Sequence, residues 1–371
     1  MAIASEARNL SRSGPAERLG RLRLSFSGFG ADAILVSHLP NIRYLSGFTG
    51  SAGLLLVDAS SATLYTDSRY TFQSREEVSG ARTQICKHGL IRAVGEALRA
   101  RRGRLRVAYA ASTITVAQKQ ALDSAVGKRV RWLDDKGAIE KLRAIKDAGE
   151  LAVIREAAEM ISAVFTRSLG DIRPGAPELA IAARIDNEIK RRGGSGPSFE
   201  TIVAAGPRSA WAHARPTARP MGKNELVVLD QGAILRGYCS DMTRTVFVGK
   251  ASSKIRGLYN AVLEAQAAGK RAIQPGVMAG EVDRAARNTL KRAKLDRYFT
   301  HSLGHGLGLE VHEMPRLGKG DKTVLQEGMV LTVEPGVYVE GLGGIRIEDD
   351  VVVTKQGAVD LTTATRDFLE L

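Results

Sequence analysis

The chain reads Ile172-Arg173-Pro174-Gly175 and, 101 residues later, Ile273-Gln274-Pro275-Gly276. Proline cannot continue a helical ladder and glycine tolerates positive φ, so each quartet marks a helix end. The flanks match as well. A helical segment precedes each copy (Glu150–Leu169; Ser253–Ala272) and another follows it. The following helices carry Leu179, Ala182, Ala183, Ile185 and Ile189 in the first copy, and Val282, Ala285, Ala286 and Leu290 in the second. β-rich sequence comes after both. Matching flanks on both sides predict a duplicated α/β half, and the space between two such halves is the natural place for a site.

Upstream, residues of about 15–135 read as a separate mixed α/β unit. Ala33–Ser37 has a strand pattern, Ala52–Asp58 and Ala62–Thr66 a hairpin pattern, Leu90–Ala100 helical spacing, and Val107–Ala110 a further strand pattern. Ile139–Ile154 reads as a charged linker helix. The expected division is 1–138, with the linker running to about 150, and 139–371. The 371 residues suit two or three domains. Hydrophobic residues at 44% and charged residues at 25% argue against a disordered chain. No apolar run reaches the roughly 18–20 residues of a membrane span. The opening Met1–Leu10 lacks the basic-then-apolar order of a secretory signal, and two cysteines cannot build a disulfide framework. A cytoplasmic location is expected. The net charge of +14 is uneven: residues 1–135 hold 20 basic and 11 acidic residues, densest at Arg99–Arg106, whereas four of the six histidines lie beyond residue 212.

Candidate chemistry falls on short, separated segments. Val227-Val228-Leu229-Asp230 is a buried-type strand ending in a carboxylate, and a second strand, Tyr238–Val248, carries Asp241. The two aspartates are expected to meet across an antiparallel pair. His301–Gly308 is a glycine-rich run containing His305. Leu331–Gly336 presents Glu334, and Gly343–Asp350 presents Glu348. A buried unpaired carboxylate is costly, and only Arg244 and Arg346 are obvious neutralisers in these segments. A pair of divalent cations would neutralise four acids together. Four carboxylates and one imidazole suit two octahedral or five-coordinate ions such as Mn²⁺ or Co²⁺. The run Gly304–Gly308 has the glycines of a phosphate cradle, but it lacks the Lys-Ser/Thr of a P-loop and the strand–loop–helix setting. Its glycines are expected to let the backbone pass close to metal and substrate.

With these residues quoted, the chain resembles the metallopeptidase family of Xaa-Pro aminopeptidases, prolidases and methionine aminopeptidases. Asn41–Ser51 and Tyr65–Tyr70 resemble the N-terminal domain of Xaa-Pro aminopeptidases and prolidases, which methionine aminopeptidases lack. The resemblance implies a C-terminal "pita-bread" domain with two pseudo-twofold α/β halves, preceded by a smaller creatinase/prolidase-type domain. It implies a dinuclear centre, with Mn²⁺ first and Co²⁺ or Zn²⁺ as alternatives, held by Asp230, Asp241, His305, Glu334 and Glu348. By the same resemblance Glu334 is the proton carrier and His213 and His312 contact the substrate. His301, Tyr338 and Arg346 are further cleft residues. Many relatives have proline where this chain has Ala212. The implied substrate is a peptide with proline in second position, and a homodimer is implied, with Tyr44, Arg69 and Tyr70 candidates for a place near a partner's cleft.

Aminopeptidase P is the expected activity and prolidase the alternative, because Asn41–Ser51 is nearer the bacterial aminopeptidase pattern. A lesser alternative is a binding protein on the same fold, as in relatives that have lost the metal ligands. No membrane partner is expected, and nucleic acid is disfavoured because Arg99–Arg106 has no interleaved aromatic residues.

Overall fold

The computed structural model describes residues 14–371. The Met1–Leu10 segment, read above as lacking a signal, lies outside them. The described chain forms two compact units, 14–143 and 144–371.

In the first unit one six-stranded sheet runs in the order Arg82–Ile85, Ala62–Thr66, Leu54–Asp58, Ala33–Val36, Leu105–Tyr109, Val130–Asp134. The Leu54–Asp58 and Ala62–Thr66 strands form the expected antiparallel hairpin, and Ala33–Val36 pairs parallel with Leu105–Tyr109. The helix Leu90–Arg99 buries Val94 and Leu98 against Leu35, Leu56 and Val107. The stretch Asn41–Ser51 is largely structural. Asn41 is fully buried, donating to Glu140 and accepting from Arg143, while Arg18 lies 4.3 Å over the buried Tyr44 ring. Arg69 pairs with Asp67, and the Tyr70 hydroxyl meets Ser51 at 2.6 Å. The basic cluster is partly neutralised: Arg101 pairs with Asp58 and Arg106 with Asp32.

The single linker helix is corrected to two, Ala138–Ala144 and Ala148–Ser168. Asp147 starts the second: its carboxylate accepts from the Gly149 and Glu150 amides, and Glu150 returns a bond to the Asp147 amide. This reciprocal cap competes with helix continuation through residues 145–147.

The second unit is built twice. In the first half, helices Ala148–Ser168 and Glu178–Arg191 precede strands Ile202–Ala205, Glu225–Gln231 and Met242–Val248, antiparallel neighbours in that order. In the second half, helices Ser253–Ala272 and Ala279–Arg292 precede Gly304–Gly306, Val330–Val333 and Asp349–Thr354, again antiparallel neighbours in that order. The repeated Pro-Gly quartets link the helices of each pair. Each half has its own apolar core, one around Ile161, Ile185 and Val227, the other around Val262, Ala286 and Leu331.

The expected continuous strand Tyr238–Val248 is broken. Tyr238–Cys239 pairs with Ala233–Leu235, while Met242–Val248 joins Glu225–Gln231 in a different sheet. Ser240 fixes the break by donating its hydroxyl to Ala157 O and its amide to Ala233 O. Asp230 therefore lies opposite Thr243, not Asp241.

Candidate metal centre

The four expected acid ligands lie at strand ends of the duplicated halves, and His305 lies within a strand. Asp230 is the penultimate residue of Glu225–Gln231, and Asp241 directly precedes Met242–Val248. Glu334 directly follows Val330–Val333, and Glu348 directly precedes Asp349–Thr354. His305 is central in Gly304–Gly306. The glycines beside it serve that strand's packing. A Cβ at Gly304 would collide with the Thr332 carbonyl, and one at Gly306 with the Met314 carbonyl.

Asp241, His305 and Glu348 offer ligand atoms that all lie within 4.8 Å of one another. His305 Nε2 is 3.5 Å from Glu334 Oε1 and 3.7 Å from Asp241 Oδ2. The other ring nitrogen, Nδ1, is 3.0 Å from the Gly306 carbonyl, which can only accept, so Nδ1 carries the hydrogen. That leaves the Nε2 lone pair aimed at the acids. Thr243 Oγ1 donates to Glu348 Oε2 at 2.6 Å, and Asp350 accepts the Asp241 amide at 2.9 Å.

The acids crowd one another in a dry setting. Burial, then the neighbouring Glu348, Asp230, Asp350 and Glu334, pushes Asp241 well above the usual carboxylate range. Burial and Glu348 push Glu334 up as well, against the pull of Arg346. Burial and Asp230 bring Glu348 up to about 8, with Arg346 and Thr243 opposing. Burial drops His305 to about 4, so it is a neutral imidazole at pH 7. Arg346 is the cation at the centre, 2.5 Å from Asp230 Oδ2. Arg244, expected to share that task, does not. It binds Asp349 at 2.8 Å and the backbone carbonyls of Glu348, Thr243, Ala364 and Thr365.

The residues present fit a pair of divalent ions. Asp230 Oδ1 and Asp241 Oδ1 are buried without a hydrogen-bond partner, each a penalty of about 1–3 kcal/mol that a coordinated cation would relieve. An oxygen-rich set with one neutral imidazole matches hard to borderline metals.

The other histidines fall into two groups. His301, Tyr338 and Arg346 form a wired wall. His301 Nδ1 faces Ser302 O at 2.8 Å, so Nε2 accepts the Tyr338 hydroxyl at 3.0 Å. Tyr338 in turn accepts from Arg346 Nη1 at 2.8 Å. Burial first, then Arg346, lowers His301 to about 4. His213 and His312 are exposed, the latter with its ring 4.4 Å from that of His305. Partial desolvation and then the nearby His213 lower His312. Two contributors escaped the sequence reading: Thr243, two residues after Asp241, and Asp350, inside the quoted Gly343–Asp350 segment.

The model of metallopeptidase family M24 matches residues 152–355, and that of the creatinase/prolidase N-terminal domain matches 18–145. The chain belongs to the M24 metallopeptidase family. An Xaa-Pro dipeptidase of Pyrococcus horikoshii is 36% identical over 91% of this chain and 94% of its own length. The solved Xaa-Pro dipeptidase of Bacillus anthracis superposes with a TM-score of 0.92 at 36% identity, covering 96% of this chain and 100% of that one. The solved X-Pro aminopeptidase of Thermotoga maritima gives 0.85 at 34%, covering 94% and 100%. The M24 unit thus has the pita-bread architecture, and its N-terminal neighbour the creatinase-like one. Among the described residues, no helix is long and apolar enough to cross a membrane.

Proposed function

We propose that the protein is a metal-dependent Xaa-Pro dipeptidase, hydrolysing the bond between any first residue and a following proline. The observation that carries this reading is the buried group Asp241, His305 and Glu348, with Asp230 and Glu334 beside it. The printed names of similar proteins supply the substrate class.

The bond before proline is a tertiary amide with no N–H, so a site that grips that hydrogen is of no use here. Asp230, Asp241, His305, Glu334 and Glu348 would hold two divalent ions, manganese in this proposal. Bound there, such ions lower the pKa of the attacking water and polarise the scissile carbonyl. Glu334 takes the water's proton and passes it to the proline nitrogen. The C–N bond breaks, the carbonyl carbon gains the water oxygen, and proline leaves as a secondary amine. His213 and His312, both exposed and the latter with its ring 4.4 Å from that of His305, stabilise the developing oxyanion. Arg346 and Tyr338 keep Asp230 and His301 in place. A homodimer in the cytoplasm is the proposed working form.

The second reading is the aminopeptidase favoured by the Asn41–Ser51 pattern, and the similarity to the Thermotoga maritima structure keeps it in play. Hydrolysis of Gly-Pro and Ala-Pro-Phe, before and after metal removal, tests both. Strict preference for Gly-Pro is the expected result. Preference for Ala-Pro-Phe selects the second reading, and turnover that survives complete chelation overturns both.

A further inference from the structure

Two acid–arginine groups outside the metal centre have their acids on equivalent helices of the two halves. Glu178 opens the helix Glu178–Arg191 and is fully buried. Its carboxylate accepts from the Ala205 amide at 2.9 Å, the Thr217 amide at 3.0 Å, the Thr217 hydroxyl at 2.8 Å and Arg208 Nε at 3.2 Å. Ala205 and Thr217 are the two ends of the loop that carries His213. Arg208 ties the loop across its middle by donating to Arg215 O at 2.5 Å. Beside His213, Ala212 O accepts from Arg346 at 3.1 Å.

In the second half, Asp283 and Arg287 lie on the helix Ala279–Arg292, which aligns with Glu178–Arg191 at the 101-residue offset. Asp283 is buried and accepts from Arg287 Nε at 2.8 Å and from the Leu303 amide at 3.1 Å. Arg287 donates to Phe299 O at 2.9 Å and His301 O at 2.5 Å. Its guanidinium lies 4.1 Å over the Phe299 ring, which meets the His301 ring edge-on.

We propose that these two clamps are positioning devices for the reaction: Glu178–Arg208 sets the His213 loop, and Asp283–Arg287 sets the His301 segment. This rests on the peptidase reading above. The clamps' hydrogen bonds go to the two segments and to each other, not to the five expected metal ligands. They act by fixing the backbone from which each imidazole projects, and a displacement of about 1 Å can cost roughly 100-fold in rate.

The test uses full-length, metal-loaded protein. Glu178→Gln turns an amide N–H₂ toward donors that need an acceptor. It should lower kcat about 10- to 100-fold with a smaller change in KM and unchanged metal content. On a His213→Ala background the same substitution should cost less than about threefold, and on His301→Ala the full factor. Asp283→Asn should show the opposite pattern. Equal losses on both backgrounds mean a general effect on the fold and overturn the proposal. Hydrogen exchange provides a readout free of catalysis. Glu178→Gln should speed exchange in 205–217 and spare 299–303, and Asp283→Asn should do the reverse. Wild-type exchange in both segments also overturns it. If Glu178→Gln does not fold, Thr217→Val removes one donor and is judged by the same two criteria at a smaller amplitude. A wild-type protein inactive on every Xaa-Pro peptide would tell against the peptidase reading, and the exchange data would then judge the clamps alone.

Discussion

The two halves of the catalytic unit share a frame and differ in what they mount on it. Each supplies one acid at the end of its middle strand, Asp230 or Glu334, and one just before its third strand, Asp241 or Glu348. The imidazoles do not repeat. At the 101-residue offset, His305 falls opposite Ala204. The polar support does not repeat either. Asp349 opens the third strand of the second half, fully buried among Arg244, Lys270 and Arg366, whereas Met242 opens the matching strand of the first. Duplication thus gives a nearly symmetric cage of carboxylates. Direction comes from residues that broke the symmetry afterwards.

The largest expected effect separates the paired acids Asp230 and Glu334. If both are only ligands, Asp230→Asn and Glu334→Gln should lose activity alike and recover alike as metal is raised. If Glu334 also carries the proton, Glu334→Gln stays about 10³-fold down in kcat at saturating metal, while Asp230→Asn recovers in part. Titrating activity against Mn²⁺ for both variants decides it.

The charged support of the second half should matter next. Arg244→Met leaves Asp349 buried with fewer partners, and breaking such a pair costs about 3–5 kcal/mol. Urea denaturation should record that loss. Thr245→Val, on the same strand, removes one hydroxyl bonded to the Arg346 carbonyl and amide, at about 1 kcal/mol.

Adjacent residues of the second half should also titrate in opposite senses. Glu348 holds its proton to about pH 8 in the folded chain, against an ordinary value of 4.5, and Asp241 and Glu334 are raised too. Between these limits these carboxyls bind more protons in the folded state than in the unfolded one, but below about pH 6.5 His301 and His305, lowered to about 4, bind fewer. Stability of the metal-free protein should therefore fall as pH rises from about 6.5 to 8, by roughly a few kcal/mol. Asp349 is displaced the other way: its burial is outweighed by Arg244, Lys270 and Arg366. Its contribution is present above the ordinary Asp range and is lost as pH falls below it. Thermal melts across pH should show the first slope without metal and lose it once metal is bound.

How far the sequence spoke varies with distance along the chain. The Pro-Gly repeat, the hairpin and the helix Ser253–Ala272 rest on neighbours a few residues apart, and all were legible. The ligand acids were legible because a carboxylate inside an apolar β run is conspicuous. The break before Asp241 was not, because it depends on Ser240 reaching Ala157, 83 residues away. The role of Arg244 was hidden for the same reason, since all its partners but Thr243 lie 104 to 121 residues downstream. Thr243 and Asp350 carry no local signal beyond being polar in a strand.

The smallest effect tests whether the repeat's matched positions are interchangeable. Leu179 and Gly280 correspond at the 101-residue offset, each in the first turn of its half's second helix. Leu179 is 54% exposed, so Leu179→Ala should change stability by no more than about 0.5 kcal/mol. By propensity alone, Gly280→Ala should stabilise a helix by roughly 0.5–1 kcal/mol. A Cβ at Gly280, however, would lie 2.8 Å from Asp321 O and 3.1 Å from Gly320 N, both backbone atoms that cannot swing aside. Overpacking of this kind costs about 1–3 kcal/mol, which outweighs the propensity gain and makes the net change destabilising. A Gly280→Ala variant that melts higher than wild type would mean that the 318–321 turn yields freely, and that the two helices are more alike in their surroundings than their contacts indicate.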